Sequence, residues 1–142
     1  MTKTKHVLVA DHESDALNTA KLNLERKGVT VSTAMDGQSA LDTILQNQTG
    51  QRPVDFLVCD VELPGLSGLE LLEEVRRRNL KIPCLLTTGM SREGFEQNAV
   101  DTMFRHVLCK PFLDGSLLDK VQEILEEKAQ IEQREKKKQL TV

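Results

Sequence analysis

Tryptophan and tyrosine are absent from this 142-residue chain, and phenylalanine occurs only four times. So few rings leave little to stack on an isoalloxazine, which sets a flavin-binding role aside. Cysteine is scarce as well: Cys59, Cys84 and Cys109 are an odd set with no C-x-x-C spacing, each within or at the end of an apolar run. That pattern speaks against a disulfide framework and for reduced core thiols in a cytosolic protein. Long apolar runs are missing too. Nowhere do eighteen apolar residues follow one another, and the four-residue apolar stretch behind Met-Thr-Lys-Thr-Lys-His is too short for a signal segment, so a soluble, cytoplasmic protein without a membrane partner is expected. A basic excess is also lacking. The 19 Lys and Arg stand against 22 Asp and Glu, for a net charge of -3, whereas a nucleic-acid surface needs clustered cations to neutralise phosphates. The expected partner is a protein, not nucleic acid.

What is present is a chain with 39% apolar and 29% charged residues, enough for one compact domain that buries about 68–70% of its unfolded surface. Short apolar runs alternate five times with amphipathic stretches. The runs 7–10, 29–34, 54–59, 82–87 and 104–109 have strand length. Between them Leu17, Ala20 and Leu24, then Ala40-Leu41 with Ile44-Leu45, then Leu69, Leu72 and Val75 recur at helical spacing, each laying one apolar stripe on a sheet. Gly28 closes the first helix and Asp36-Gly37 opens the second. A fourth helical stretch, 91–100, is weak, because Gly94 interrupts it and only Phe95 and Ala99 offer an apolar face. A fifth begins after Pro111, with Leu117, Val121 and Ile124-Leu125 as its stripe. Residues 1–127 form the expected domain. Residues 128–142 are charged almost throughout, and form a projecting or frayed extension of the last helix, or a linker toward a further domain.

Regular strand and helix alternation implies parallel strands joined by right-handed crossovers with helices on both faces, and such sheets bind ligands at the carboxyl ends of their strands. Asp11, Asp60, Thr88 and Lys110 lie at or just past the ends of strands one, three, four and five, so four scattered residues converge on one edge. Asp60 stands out: a buried strand delivers its carboxylate to a sharp Leu63-Pro64-Gly65 turn, where it is placed to act as a nucleophile toward a phosphoryl group. Taken alone, it reads equally well as a strand-end carboxylate paired with Lys110 for stability.

The constellation Asp11, Leu57-Val58-Cys59-Asp60-Val61-Glu62-Leu63-Pro64-Gly65, Leu85-Leu86-Thr87-Thr88-Gly89 and Cys109-Lys110-Pro111-Phe112 resembles the receiver domain of bacterial two-component response regulators, over residues 5–127. The resemblance implies a flavodoxin-like, doubly wound, three-layer α/β/α fold, with five helices and a five-stranded parallel sheet in the order 2-1-3-4-5. It implies a signalling module, not an enzyme, monomeric or weakly homodimeric. Its Asp60 takes a phosphoryl group from a sensor histidine kinase or histidine phosphotransfer protein and thereby switches partner interactions. In that scheme Lys110, on a Lys-Pro bond usually cis in the family, places its ammonium against Asp60 and the phosphoryl oxygen. Thr88 donates its hydroxyl to that oxygen. Asp11, Asp60 and the Glu62 backbone carbonyl hold Mg²⁺, a hard cation that favours oxygen.

Two departures stand out. Where the family carries a pair of acids after the first strand, this chain has Asp11-His12. His12 is either a solvated loop residue or a ligand that suits softer metals better than Mg²⁺, and weakened Mg²⁺ binding is expected. Glu13, next along, would have to turn back from the helix start to substitute. The switch position three before Lys110, commonly aromatic, is Val107, so an aromatic rotamer switch is absent. These departures motivate a second reading, a pseudo-receiver that binds partners without being phosphorylated. A third, a haloacid-dehalogenase-type phosphatase, fits poorly: Asp-Val-Glu-Leu stands on strand three where that class resembles Asp-x-Asp-x-Thr near strand one.

Overall fold

The computed structural model describes residues 4–50, 52–89, 106–111 and 115–140. Its elements run β1 (His6–Ala10), α1 (Ser14–Glu25), β2 (Thr30–Ala34), α2 (Gly37–Gln48), β3 (Phe56–Asp60), α3 (Gly68–Arg77), β4 (Cys84–Thr88), β5 (Val107–Cys109) and α4 (Ser116–Leu140). All strand pairs are parallel and the sheet order is β2-β1-β3-β4-β5, the doubly wound order expected. The fourth helical stretch, 91–100, and the start of the fifth strand lie outside the described residues.

The central strands β1 and β3 are buried along their whole length, which is why both read as continuous apolar runs and not as alternating ones. Successive side chains still part to opposite faces. Leu8, Ala10, Leu57, Cys59 and Leu86 meet α2 and α3 through Ala40, Leu41, Ile44, Leu71, Leu72 and Val75. Val7, Val9, Phe56, Val58 and Leu85 meet α1 and α4 through Leu17, Ala20, Leu24, Leu117, Val121 and Ile124. Two cores of aliphatic side chains thus sandwich the sheet, and Phe56 is fully buried in the second. The three cysteines are free. Burial pushes the Cys84 thiol up to about 12 and holds the Cys59 thiol well above its usual value.

One side chain buried in β1 is polar. His6, at the amino end of β1, bonds Arg52 O through Nδ1 at 3.0 Å and Ser32 Oγ through Nε2 at 2.7 Å, while its backbone N–H donates to Asp55 Oδ2 at 2.8 Å. It ties β1, β2 and the approach to β3 together at the edge opposite the convergent carboxylates. At the far end of the chain α4 stays helical to Leu140. Lys128 ties it to the domain body, its Nζ donating to Lys81 O at 3.2 Å, and residues 129–140 are exposed.

Candidate functional site

β3 ends on Asp60, whose side chain is only 2% exposed. The residue is therefore more enclosed than a carboxylate displayed at a surface edge. β1 brings in Asp11, also buried, with its N–H bonded to Ala34 O at 3.0 Å. Lys110 follows β5 directly, its backbone N–H on Thr88 O at 2.7 Å and its bond to Pro111 cis. These three strand ends bring the side chains into contact. Lys110 Nζ lies 2.7 Å from Asp11 Oδ2 and 3.2 Å from Asp60 Oδ2. Burial works to lower the Lys110 pKa, but its hydrogen bonds and charge contacts with Asp60 and Asp11 outweigh that and hold it above the usual lysine value. The ammonium stays charged between two carboxylates that would otherwise repel.

The remaining oxygens are engaged from the adjoining loops. Glu62 N–H donates to Asp60 Oδ1 at 3.0 Å, and Glu13 N–H to Asp11 Oδ1 at 2.9 Å. His12 is not turned away into solvent: its Nδ1 lies 3.0 Å from Asp60 Oδ2 and 3.7 Å from Asp11 Oδ1, with the side chain 38% exposed. Its Nε2 faces Glu13 Oε1 at 3.7 Å, and the same carboxylate reaches to 4.0 Å from Lys110 Nζ. Glu13 does turn back toward the cluster. Thr88 is fully buried at the end of β4, one residue beyond Thr87, the register partner of Asp60. Val107 pairs in register with Leu86 and is half-buried against the α2/α3 core, so it packs inward, away from the carboxylates.

The turn behind Asp60 fixes where α3 begins against the strand end. Gly65 has φ +73°, a conformation an L side chain resists. Ser67 then caps α3: its Oγ accepts from Glu70 N–H at 3.2 Å while Glu70 Oε1 accepts from Ser67 N–H at 3.3 Å, the reciprocal pattern of a capping box. Gly68 N–H bonds Val61 O at 3.1 Å, and a Cβ at Gly68 would fall 2.2 Å from the Asp60 carbonyl oxygen. Helix α3 can therefore start directly against the backbone of Asp60 only because residue 68 lacks a side chain.

A family model described as the response regulator receiver domain matches residues 7–122. This chain belongs to that family. The receiver is 35% identical over 126 residues to the alkaline phosphatase synthesis transcriptional regulatory protein PhoP of Bacillus subtilis, a match that covers 85% of this chain and 48% of PhoP. The chain spans about half the length of the curated relatives it matches. Its fold superposes with TM-score 0.75, at 26% identity, on a receiver domain protein of Clostridium thermocellum, covering 89% of this chain and 98% of that one. A response regulator, TrrA of Thermotoga maritima, solved in complex with Mg²⁺ and BeF, matches with TM-score 0.73 at 26% identity over 85% of this chain and 99% of that one.

The receiver offers a cation a mixed donor set. Asp11, His12 and Asp60 each present one ligand atom, all within 4.8 Å of one another. Two carboxylates fit a divalent cation, and Lys110 leaves Asp11 Oδ1 facing the cluster because it takes Oδ2. The third donor is a nitrogen where an all-oxygen set would suit Mg²⁺ best. The Glu62 carbonyl was expected among the donors; the bond the structure records for that residue is from its N–H to Asp60. Among the described residues no helix is long and apolar enough to cross a membrane.

Proposed function

We propose that this receiver accepts a phosphoryl group on Asp60 from a phosphohistidine of a sensor kinase or phosphotransfer protein. The observation that carries the reading is Lys110 Nζ held between Asp60 Oδ2 at 3.2 Å and Asp11 Oδ2 at 2.7 Å at the carboxyl edge of the sheet. In the transfer an Asp60 oxygen attacks phosphorus, an O–P bond forms, and the N–P bond of the donor breaks with its electron pair returning to the imidazole. Glu62 N–H fixes the carboxylate through its other oxygen. Lys110 stands where negative charge accumulates on the phosphoryl oxygens, and a preplaced cation in a partly dry site stabilises that charge without reorganising. Thr88, at the end of β4, is the hydroxyl donor to a phosphoryl oxygen, and the means by which a modified Asp60 biases the segment that follows. Asp11, Asp60 and the Glu62 carbonyl would hold a divalent cation, which would supply screening of the carboxylates from the incoming anion; His12 in place of a third carboxylate would weaken the hold on Mg²⁺. The output is a changed surface for a protein partner.

Intact-mass analysis after incubation with a small phosphodonor and a divalent cation tests this. The wild type gains a single phosphoryl increment and Asp60→Asn gains none. Modification that persists in Asp60→Asn would overturn the assignment. A second reading, partner binding independent of phosphorylation, is favoured by one observation: His12 and Lys110 both cover Asp60 Oδ2. An unmodified wild type under the same conditions decides for it.

A further inference from the structure

The Nδ1 of His12 sits in the carboxylate cluster with a geometry that fits an ion as well as a proton. Ions that bind nitrogen and oxygen at about 2.0–2.1 Å bring neighbouring ligand atoms about 3 Å apart and opposite ones about 4 Å apart. His12 Nδ1 is 3.0 Å from Asp60 Oδ2 and 3.7 Å from Asp11 Oδ1, and the three ligand atoms lie within 4.8 Å of one another, so they surround a space one ion can share. The rest of the ring is set for the same role. Binding through Nδ1 leaves the proton on Nε2, and Nε2 faces the Glu13 carboxylate at 3.7 Å. A metal-bound imidazole characteristically gives its other N–H to a carboxylate, which orients the ring and raises its basicity.

We infer that His12 converts this receiver's cation seat from a Mg²⁺ site into one selective for late first-row divalent cations, Co²⁺ through Zn²⁺. Imidazole nitrogen suits these ions, whereas Mg²⁺ holds its waters tightly and is drawn chiefly by charged oxygen. His12 supplies a better donor to the first group and removes a negative charge the second depends on. The two effects act in the same direction on selectivity. Glu13, half out in solvent, stands 3.7 Å from Nε2 and adds to the local negative potential without displacing the nitrogen. The inference rests on reading Asp11 and Asp60 as cation-holding carboxylates, but it is independent of whether Asp60 is phosphorylated.

The test is calorimetric titration of the full chain with Co²⁺ and with Mg²⁺, in the absence of phosphodonor, for wild type, His12→Asp and His12→Asn. The preference for Co²⁺ over Mg²⁺ is expected to fall about tenfold or more in His12→Asp, the scale on which changes around a metal's ligand shell act, with Mg²⁺ affinity rising. His12→Asn should lose the Co²⁺ preference without gaining Mg²⁺ affinity. Proton NMR of the Co²⁺ form gives a second readout: one strongly shifted, exchangeable imidazole N–H in the wild type, missing in both variants. An unchanged Co²⁺/Mg²⁺ ratio in His12→Asp, or no shifted imidazole proton in the wild type, overturns the inference. Such a failure leaves the phosphoacceptor reading standing if Asp60 still gains mass. Nitrogen-dependent Co²⁺ binding by a chain that never gains mass sinks the phosphoacceptor reading alone.

Discussion

At the residue scale, the most consequential side chain after Asp60 is one that is missing. A methyl group on residue 68 would overlap the Asp60 carbonyl, with a Cβ–O separation of 2.2 Å, so either α3 moves or the end of β3 does. Gly68→Ala is accordingly expected to cost about 1–3 kcal/mol, the range for forcing an extra methyl into filled space. It should also lower the phosphorylation rate out of proportion to stability, because the displaced atoms carry Asp60, the proposed phosphoacceptor. A denaturant melt paired with mass-resolved phosphorylation checks both; unchanged rate and stability would show that the helix start yields freely. Gly68 is thus a backbone device. That its neighbour is the Asp60 carbonyl itself depends on how closely α3 docks, and no local pattern encodes that distance.

At the element scale, α2 and α3 both begin on side-chain caps, and those caps stabilise the helices that support the edge. Asp36 Oδ1 accepts from Ser39 N–H at 2.7 Å and Oδ2 from Ser39 Oγ at 3.0 Å. The Ser39 backbone N–H, helped by the Ser39 hydroxyl, holds the Asp36 carboxyl below the usual carboxylate range. A depressed folded-state value means the charged cap contributes fully above the unfolded value of about 3.9. That contribution disappears as pH falls through the lower, folded value. The melting difference between wild type and Asp36→Ala is thus expected to be constant from neutral pH down to about pH 5 and to shrink below about pH 4. A difference that grows on acidification would contradict the assigned cap. The Asp36-Gly37 pair was readable as a helix start because capping is local chemistry, within three residues. Strand limits were less readable: β3 begins at Phe56 instead of Val54 and includes Asp60, since pairing partners, not the apolar run, decide where a ladder starts and stops.

At the scale of the whole molecule, α4 leaves the domain body. Leu117, Val121 and Ile124 are buried against the sheet, His106 and Glu127 approach to 3.5 Å across its side, and Lys128 bonds Lys81 O. Beyond it the helix carries an exposed Ile131 and Leu140 and no buried residue. Deleting residues 133–142 is expected to change stability by less than about 1 kcal/mol, as for surface segments away from packed features, and to leave phosphorylation of Asp60 intact. Thermal melts at two protein concentrations check this. A large loss would mean that the extension packs on this domain or on a second copy, and a concentration dependence present only in the full chain would single out the second copy. We read residues 1–127 as the working receiver and the remainder as its extension.

Alternation of apolar runs with amphipathic stretches determined the parallel, doubly wound layering from sequence alone, because periods of two and 3.6 residues are set by backbone geometry and the burial of apolar faces. The same alternation put Asp11, Asp60, Thr88 and Lys110 on one edge, since every strand in such a sheet points the same way. What lay beyond sequence was contact. His12 reads equally as a solvated loop residue or a ligand until the β1 and β3 ends are brought side by side, and only then does its Nδ1 meet Asp60 at 3.0 Å. His6 likewise becomes a structural tie only when β2 and the approach to β3 close around it. These outcomes depend on separations of a few ångströms between residues dozens of positions apart, and only the packing of the two helical layers on the sheet sets them.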